Sequence, residues 1–141
     1  MNRKTFIIFL LAAAVAIFGL SSCLSNKGTD IHNSRISLDW DGVYTGTIPS
    51  ASGTGINVRL RLNRDQSFEL NYIYIDRLDG QFKRTGTFNW DEAGNVIKLD
   101  INNDDVSPYY KPIEGKLIQL DMKGKPIKGK LADNYVLNKE Q

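Results

Sequence analysis

Few side chains in this 141-residue sequence are equipped for covalent or metal chemistry. Cys23 is the single cysteine and His32 the single histidine. Nucleophilic catalysis needs a nucleophile beside a base, and a metal centre needs several ligands converging. His32 lies in a polar stretch and reads as structurally idle. Met122 is the one methionine besides Met1. A thioether can hold copper(I), but Met122 falls in phase with Ile118 and Leu120 and is expected in the core. Asn102-Asn103-Asp104-Asp105 gathers hard oxygen ligands, yet lacks the glycine and distal glutamate of a calcium loop, so a solvated hairpin loop is expected. Arg59, Arg61, Arg64, Lys83 and Arg84 form a candidate basic stripe for an anion or lipid headgroups. Arg59 and Arg61 alternate out of phase with the leucines, however, as the solvated face of a strand would. Tyr72, Tyr74, Phe88 and Trp90 either line a cavity or fill an interior. Paired carboxylates for acid/base work do not stand out. No enzyme is expected, and no catalytic residue, metal ligand or cofactor is assigned.

The chemistry that Cys23 does suit depends on what precedes it. Asn2, Arg3 and Lys4 are followed by Phe6 to Leu20 without a charge, then Ser21-Ser22-Cys23. This is the charged, apolar and small-residue order of an export signal, with an apolar run short of the roughly 20 residues that span a bilayer. Leucine at −3, small residues at −2 and −1 and cysteine at +1 resemble the lipobox of bacterial lipoproteins. The resemblance implies a signal peptide over 1–22, cleavage before Cys23, and lipid on its sulfur. Two or more acyl chains give stable anchoring, at about 0.8 kcal/mol for each buried methylene. Loss of 1–22 removes Arg3 and Lys4 and no acid, leaving 16 basic against 16 acidic residues. A formally neutral remainder offers no basic excess for nucleic acid. With Cys23 lipidated, no thiol remains for a disulfide.

Residues 23–37 are polar and aperiodic, and are expected to form a flexible tether. A period of two then begins. Ile56, Val58, Leu60 and Leu62 alternate with polar residues; after Arg64-Asp65-Gln66, Phe68, Leu70, Tyr72 and Tyr74 do the same, predicting a hairpin. Phe82, Gly86, Phe88 and Trp90 suggest the next inward face. Gly94 is placed for positive φ in the following turn, before Ile97, Leu99 and Ile101. Tyr109 to Ile113 and Leu117 to Met122 are two further strands, the first an edge or bent because of Pro108 and Pro112. Tyr135 to Leu137 closes the chain, and Trp40 to Ile48 opens the domain. No helical period is evident after the leader. The expected fold is all-β: a small antiparallel lipocalin-like β-barrel of about seven to eight strands over 38–141, filled by side chains or holding one small ligand.

Trp40-Asp41-Gly42-Val43-Tyr44-Thr45-Gly46-Thr47-Ile48-Pro49 resembles the start of the N-terminal domain of the NlpE lipoproteins. Phe68-Glu69-Leu70, Gly86-Thr87-Phe88-Asn89-Trp90, Leu120 to Ile127 and Tyr135-Val136-Leu137 follow in family order. The resemblance implies a membrane-anchored envelope lipoprotein, non-enzymatic, serving copper tolerance or envelope-stress and surface sensing through a protein partner. Leu24, rather than aspartate, after Cys23 favours the outer membrane. Where the family carries a Cys-x-x-Cys pair, Ser50 and Gly53 stand here, so copper binding at this loop is not expected. The second C-terminal domain of longer members is not expected either. The alternative reading is a carrier of a small apolar ligand inside the barrel.

Overall fold

The computed structural model describes residues 33–51, 53–102 and 106–141. Cys23, His32, the expected leader and most of the expected tether lie outside the described residues, as do Asn103, Asp104 and Asp105. Eight strands follow in order: β1 (Gly42–Ser50), β2 (Gly53–Leu62), β3 (Ser67–Tyr74), β4 (Gln81–Trp90), β5 (Ile97–Leu99), β6 (Tyr109–Ile113), β7 (Lys116–Gln119) and β8 (Val136–Lys139). Each pairs antiparallel with the next, and β8 returns to β1 to close the barrel.

The alternation in the sequence sets the wall. In β2, Ile56, Val58, Leu60 and Leu62 point inward, opposite Tyr74, Tyr72, Leu70 and Phe68 of β3. Gln66 sits in the intervening turn at φ 65°, and Gly94 takes φ 70° in the β4–β5 turn. The interior is packed around Leu60, Tyr110, Ile97, Leu99, Leu117 and Leu137, all without solvent exposure. Closure depends on a close approach at Gly46: a Cβ there would lie 2.6 Å from Val136 O and 3.0 Å from Leu137 Cδ2. Only hydrogen lets β1 and β8 meet at that spacing.

Several expectations are corrected. The tether was expected to reach residue 37, but a one-turn helix, α1 (Ser34–Ser37), is docked on the barrel. Asn33 caps it, Arg35 N–H donates to Gly94 O (3.0 Å), and Ser34 N–H donates to Asn95 Oδ1 (3.1 Å). Polar residues read as a solvated linker are here bonded to the β4–β5 turn. Met122 is half exposed and outside the core. The inward face of β7 is Leu117 and Gln119, one residue out of phase with the expected Ile118, Leu120 and Met122. The strand stops at Gln119, and Leu120 is buried through a lone bridge to Pro126 rather than through strand alternation. Phe82 keeps the expected inward phase, in register with Tyr72, but is 43% exposed, because β4 begins beyond the reach of β5. Pro112 is fully buried and pairs with Leu117 of β7. It lies past the start of β5, where its missing N–H breaks no ladder, and its carbonyl accepts Ser34 Oγ at 3.2 Å.

Candidate functional site: a plugged end and an open mouth

The two ends of the barrel differ. At the end where Asn33 arrives, Trp40 packs edge-on against Phe88 (centroids 5.7 Å apart) and Trp90 (5.5 Å). Its Nε1 donates to Arg35 O at 3.1 Å, and Tyr44 Oη donates to Trp40 O at 2.8 Å. Two faces of aromatic area and two hydrogen bonds hold α1 and Trp40 as a plug. Burial pushes the Tyr44 hydroxyl up to about 12, with Asp39, Asp41 and Glu114 adding to it.

At the opposite end the barrel opens into a mouth of about 530 Å³. Ile48, Ile56, Tyr74, Leu120 and Tyr135 supply apolar wall, while Arg77 and Asp121 supply charge at the rim. Arg77 lies over the Tyr74 ring, 5.6 Å from its centroid. Asp121 accepts the backbone N–H groups of Lys123 and Lys125, both at 2.8 Å. The Lys125 and Lys123 amides hold its carboxyl below the usual value.

A buried polar cluster lies between mouth and core. Gln119 Nε2 donates to Tyr72 Oη at 3.2 Å, and Tyr72 Oη lies 2.9 Å from Tyr110 Oη. Gln119 is the buried polar side chain among the described residues. Desolvation pushes Tyr72 up to about 12 and Tyr110 well above its ordinary value. Both phenols are therefore neutral across the physiological range.

The four aromatic residues that were ambiguous in sequence divide between these ends. Phe88 and Trp90 fill the plugged end, whereas Tyr72 and Tyr74 line the mouth. Gln119 and Tyr110 were missed, although both are legible once the phase of β6 and β7 is known. The candidate basic stripe is interleaved with acids: Arg59 lies 3.6 Å from Glu140, Arg64 3.0 Å from Asp41 and Lys83 3.1 Å from Glu69, and Arg59 and Lys83 stand in register on the outer face with Asn71 between them. Arg84 sits on the other face of β4 from Lys83.

Ser50 and Gly53 do face each other across the β1–β2 turn at the mouth. The place of a side chain at Gly53 is taken, since the Asp76 carboxylate, which accepts Thr54 N–H, fills it. Hydrogen bonding to Thr54 keeps Asp76 ionised to lower pH than usual. No group of three or more His, Cys, Asp or Glu side chains able to hold a metal is found among the described residues.

Curated protein sequences give no match. Among solved structures, a protein from Shewanella oneidensis classed as a lipoprotein is similar, with TM-score 0.69 and 41% identity over 77% of this chain and 96% of that one. NlpE from Escherichia coli, described as the activator of the Cpx pathway, shares the fold at TM-score 0.51 and 24% identity. That likeness covers 63% of this chain and 46% of the longer one. The NlpE N-terminal domain family matches residues 44–130, and with the 41% identical relative this shows that the chain belongs to that family of envelope lipoproteins.

Proposed function

We propose that this chain is anchored through lipid on Cys23, on the outer membrane, and works without catalysis as a stress- or surface-sensing module that acts by protein contact. The observation that carries this reading is family membership together with the Leu20-Ser21-Ser22-Cys23 sequence that a lipid transferase would recognise. The E. coli relative's description as a pathway activator supports a signalling role. Any contribution to copper tolerance would then come through signalling, because Ser50 and Gly53 offer a hydroxyl and a hydrogen where a soft cation needs thiolates. Fractionation of cells producing wild type or Cys23→Ala tests the anchor. Wild type is expected with the outer membrane and, by intact mass, without residues 1–22 and heavier by its acyl chains, and the variant without lipid and away from the outer membrane; a wild-type product with an unmodified thiol or a retained leader would end the proposal. A stress-response reporter that ignores overproduction of the anchored protein would end its signalling part.

A second reading, a carrier of a small apolar or amphipathic ligand, is favoured by the mouth. Its volume of about 530 Å³ falls in the range of small-molecule sites. Titration with a dye that brightens on burial should saturate at one site per barrel. A linear, unsaturable response would dismiss it.

A further inference from the structure

Among the described residues, the β4–β5 seam of the closed barrel is only three pairs long. β4 has ten residues, but β5 pairs only with Phe88, Asn89 and Trp90. Asp100 N–H still donates to Thr87 O (2.8 Å), and then Ile101 N–H turns back onto Leu99 O (3.1 Å). This three-residue turn takes the chain out of the ladder. Among the described residues, no strand pairs with Gln81, Phe82, Lys83, Arg84 or Thr85 on the side away from β3, and all five are exposed.

Hydrogen-bond direction along β4 is fixed by its ends. Phe88 N–H donates to Gln66 O on the β3 side, while Thr87 O faces β5. Main-chain groups alternate sides in an antiparallel ladder. Phe82 and Arg84 therefore spend theirs on β3, and Gln81, Lys83 and Thr85 turn theirs outward. One outward carbonyl, Lys83 O, is met by the guanidinium of Arg84 at 3.0 Å. Inside the edge is a cleft of about 70 Å³ between Leu70, Tyr74, Phe82, Arg84, Ile101 and Val106, sized for one small aliphatic side chain.

We infer that Gln81–Thr85 accepts an extended acidic segment of a partner protein as an added strand, with one of its aliphatic side chains in that cleft. The inference rests on the protein-contact reading above and names where the contact is made. Strand addition takes affinity from main-chain hydrogen bonds and specificity from alternate side chains. Charge selects the occupant. A second copy paired about Lys83 would set that lysine against its own counterpart, which is unfavourable across a strand pair and is a common guard against edge-to-edge association. Acidic side chains on the outer face of the added strand lie beside Lys83, which they share with Glu69 (3.1 Å), while the aliphatic side chain in the cleft lies on the Arg84 face, and a backbone N–H of the segment replaces the Arg84 guanidinium on Lys83 O.

The test uses the purified full chain in detergent and two heptapeptides, acetyl-Asp-Val-Glu-Val-Asp-Val-Glu-amide and acetyl-Lys-Val-Lys-Val-Lys-Val-Lys-amide. Saturating acidic peptide should slow amide exchange at Lys83 and Thr85 tenfold or more, with Phe82 and Arg84 little changed and the basic peptide without effect. Lys83→Pro removes an outward N–H that no barrel bond uses, and should weaken binding at least tenfold with the thermal midpoint kept. Should that variant fail to fold, Lys83→Glu/Arg84→Glu carries the test, since it should exchange the preference for the basic peptide. Unchanged exchange at Lys83 and Thr85, or full binding by Lys83→Pro, would overturn the inference. So would dimerisation of Lys83→Ser/Arg84→Ser without peptide binding, which would make the cations guards alone. Failure of the anchor is read separately, in the Cys23→Ala fractions, which do not depend on this edge.

Discussion

Removing one hydroxyl from the Gln119–Tyr72–Tyr110 cluster should cost very different amounts depending on which is removed. Tyr110→Phe deletes a single bond, and Tyr72 keeps its contact with Gln119, so a loss of about 1 kcal/mol is expected. Tyr72→Phe deletes both bonds and strands the Tyr110 hydroxyl, which has no exposure to water, together with the Gln119 amide. Two lost bonds and a stranded buried hydroxyl come to about 3 kcal/mol. In the double variant only the Gln119 amide is orphaned, beside the mouth, and the cost should be about 2 kcal/mol rather than the sum of about 4. With a urea slope of about 1.5 kcal/mol/M, the midpoints should fall by about 0.7, 2 and 1.3 M for Tyr110→Phe, Tyr72→Phe and the pair. Trp40 and Trp90 lie together in the plugged end, so tryptophan fluorescence follows global unfolding rather than events at the mouth. Equal costs for the single variants, or additive costs in the pair, would refute the hydrogen-bond assignment. The phenols also set an alkaline limit. Folding raises Tyr72 and Tyr44 to about 12 from 10, so their contribution is complete below pH 10 and is lost as pH rises toward 12.

Four other perturbations test separate parts of the molecule. Trp40→Ala should cost about 3 kcal/mol and speed amide exchange at Arg35 and Ser37, since the plug loses its aromatic contacts; unchanged exchange would mean that α1 holds by its own hydrogen bonds. Gly46→Ala should destabilise by about 2 kcal/mol by forcing β8 off β1, read as a lower urea midpoint. Ser50→Cys/Gly53→Cys should restore copper(I) binding only when Asp76→Ala is added, because the carboxylate fills the second position; isothermal titration of both variants decides it. Folding lowers the Asp121 carboxyl, so its support of the β7–β8 turn is present above its ordinary value of 3.8 and fades as pH falls below that. Amide exchange at Lys123 and Lys125 should accelerate over the same interval, and should be fast at every pH in Asp121→Ala.

The wall of the barrel was legible because alternation in β2 and β3 runs unbroken for four inward positions each, and a one-residue slip would expose all of them. The β4–β5 turn was legible through Gly94, whose φ few other residues adopt. β7 was not, because Leu117, Ile118 and Leu120 fit either phase, and only pairing with β6 and β8 decides between them. The helical turn Ser34–Ser37 escaped for a different reason: one turn has no period, and its partners Gly94, Asn95 and Pro112 are distant in sequence. The same limit hid Asp76 at Gly53. The thiol positions could be read locally, but what fills the space beside them arrives from the end of β3. The unpaired start of β4, as seen among the described residues, follows from the shortness of β5, which composition does not reveal.

Both flanks of the barrel converge on its plugged end: Asn33 rests on the β4–β5 turn, while Lys139 reaches Asp39 and Glu140 N–H bonds Val43 O. A biotin or histidine handle grafted to either flank would thus sit behind Trp40. A biosensor chip loaded that way would present every molecule in one orientation, rim toward the analyte stream.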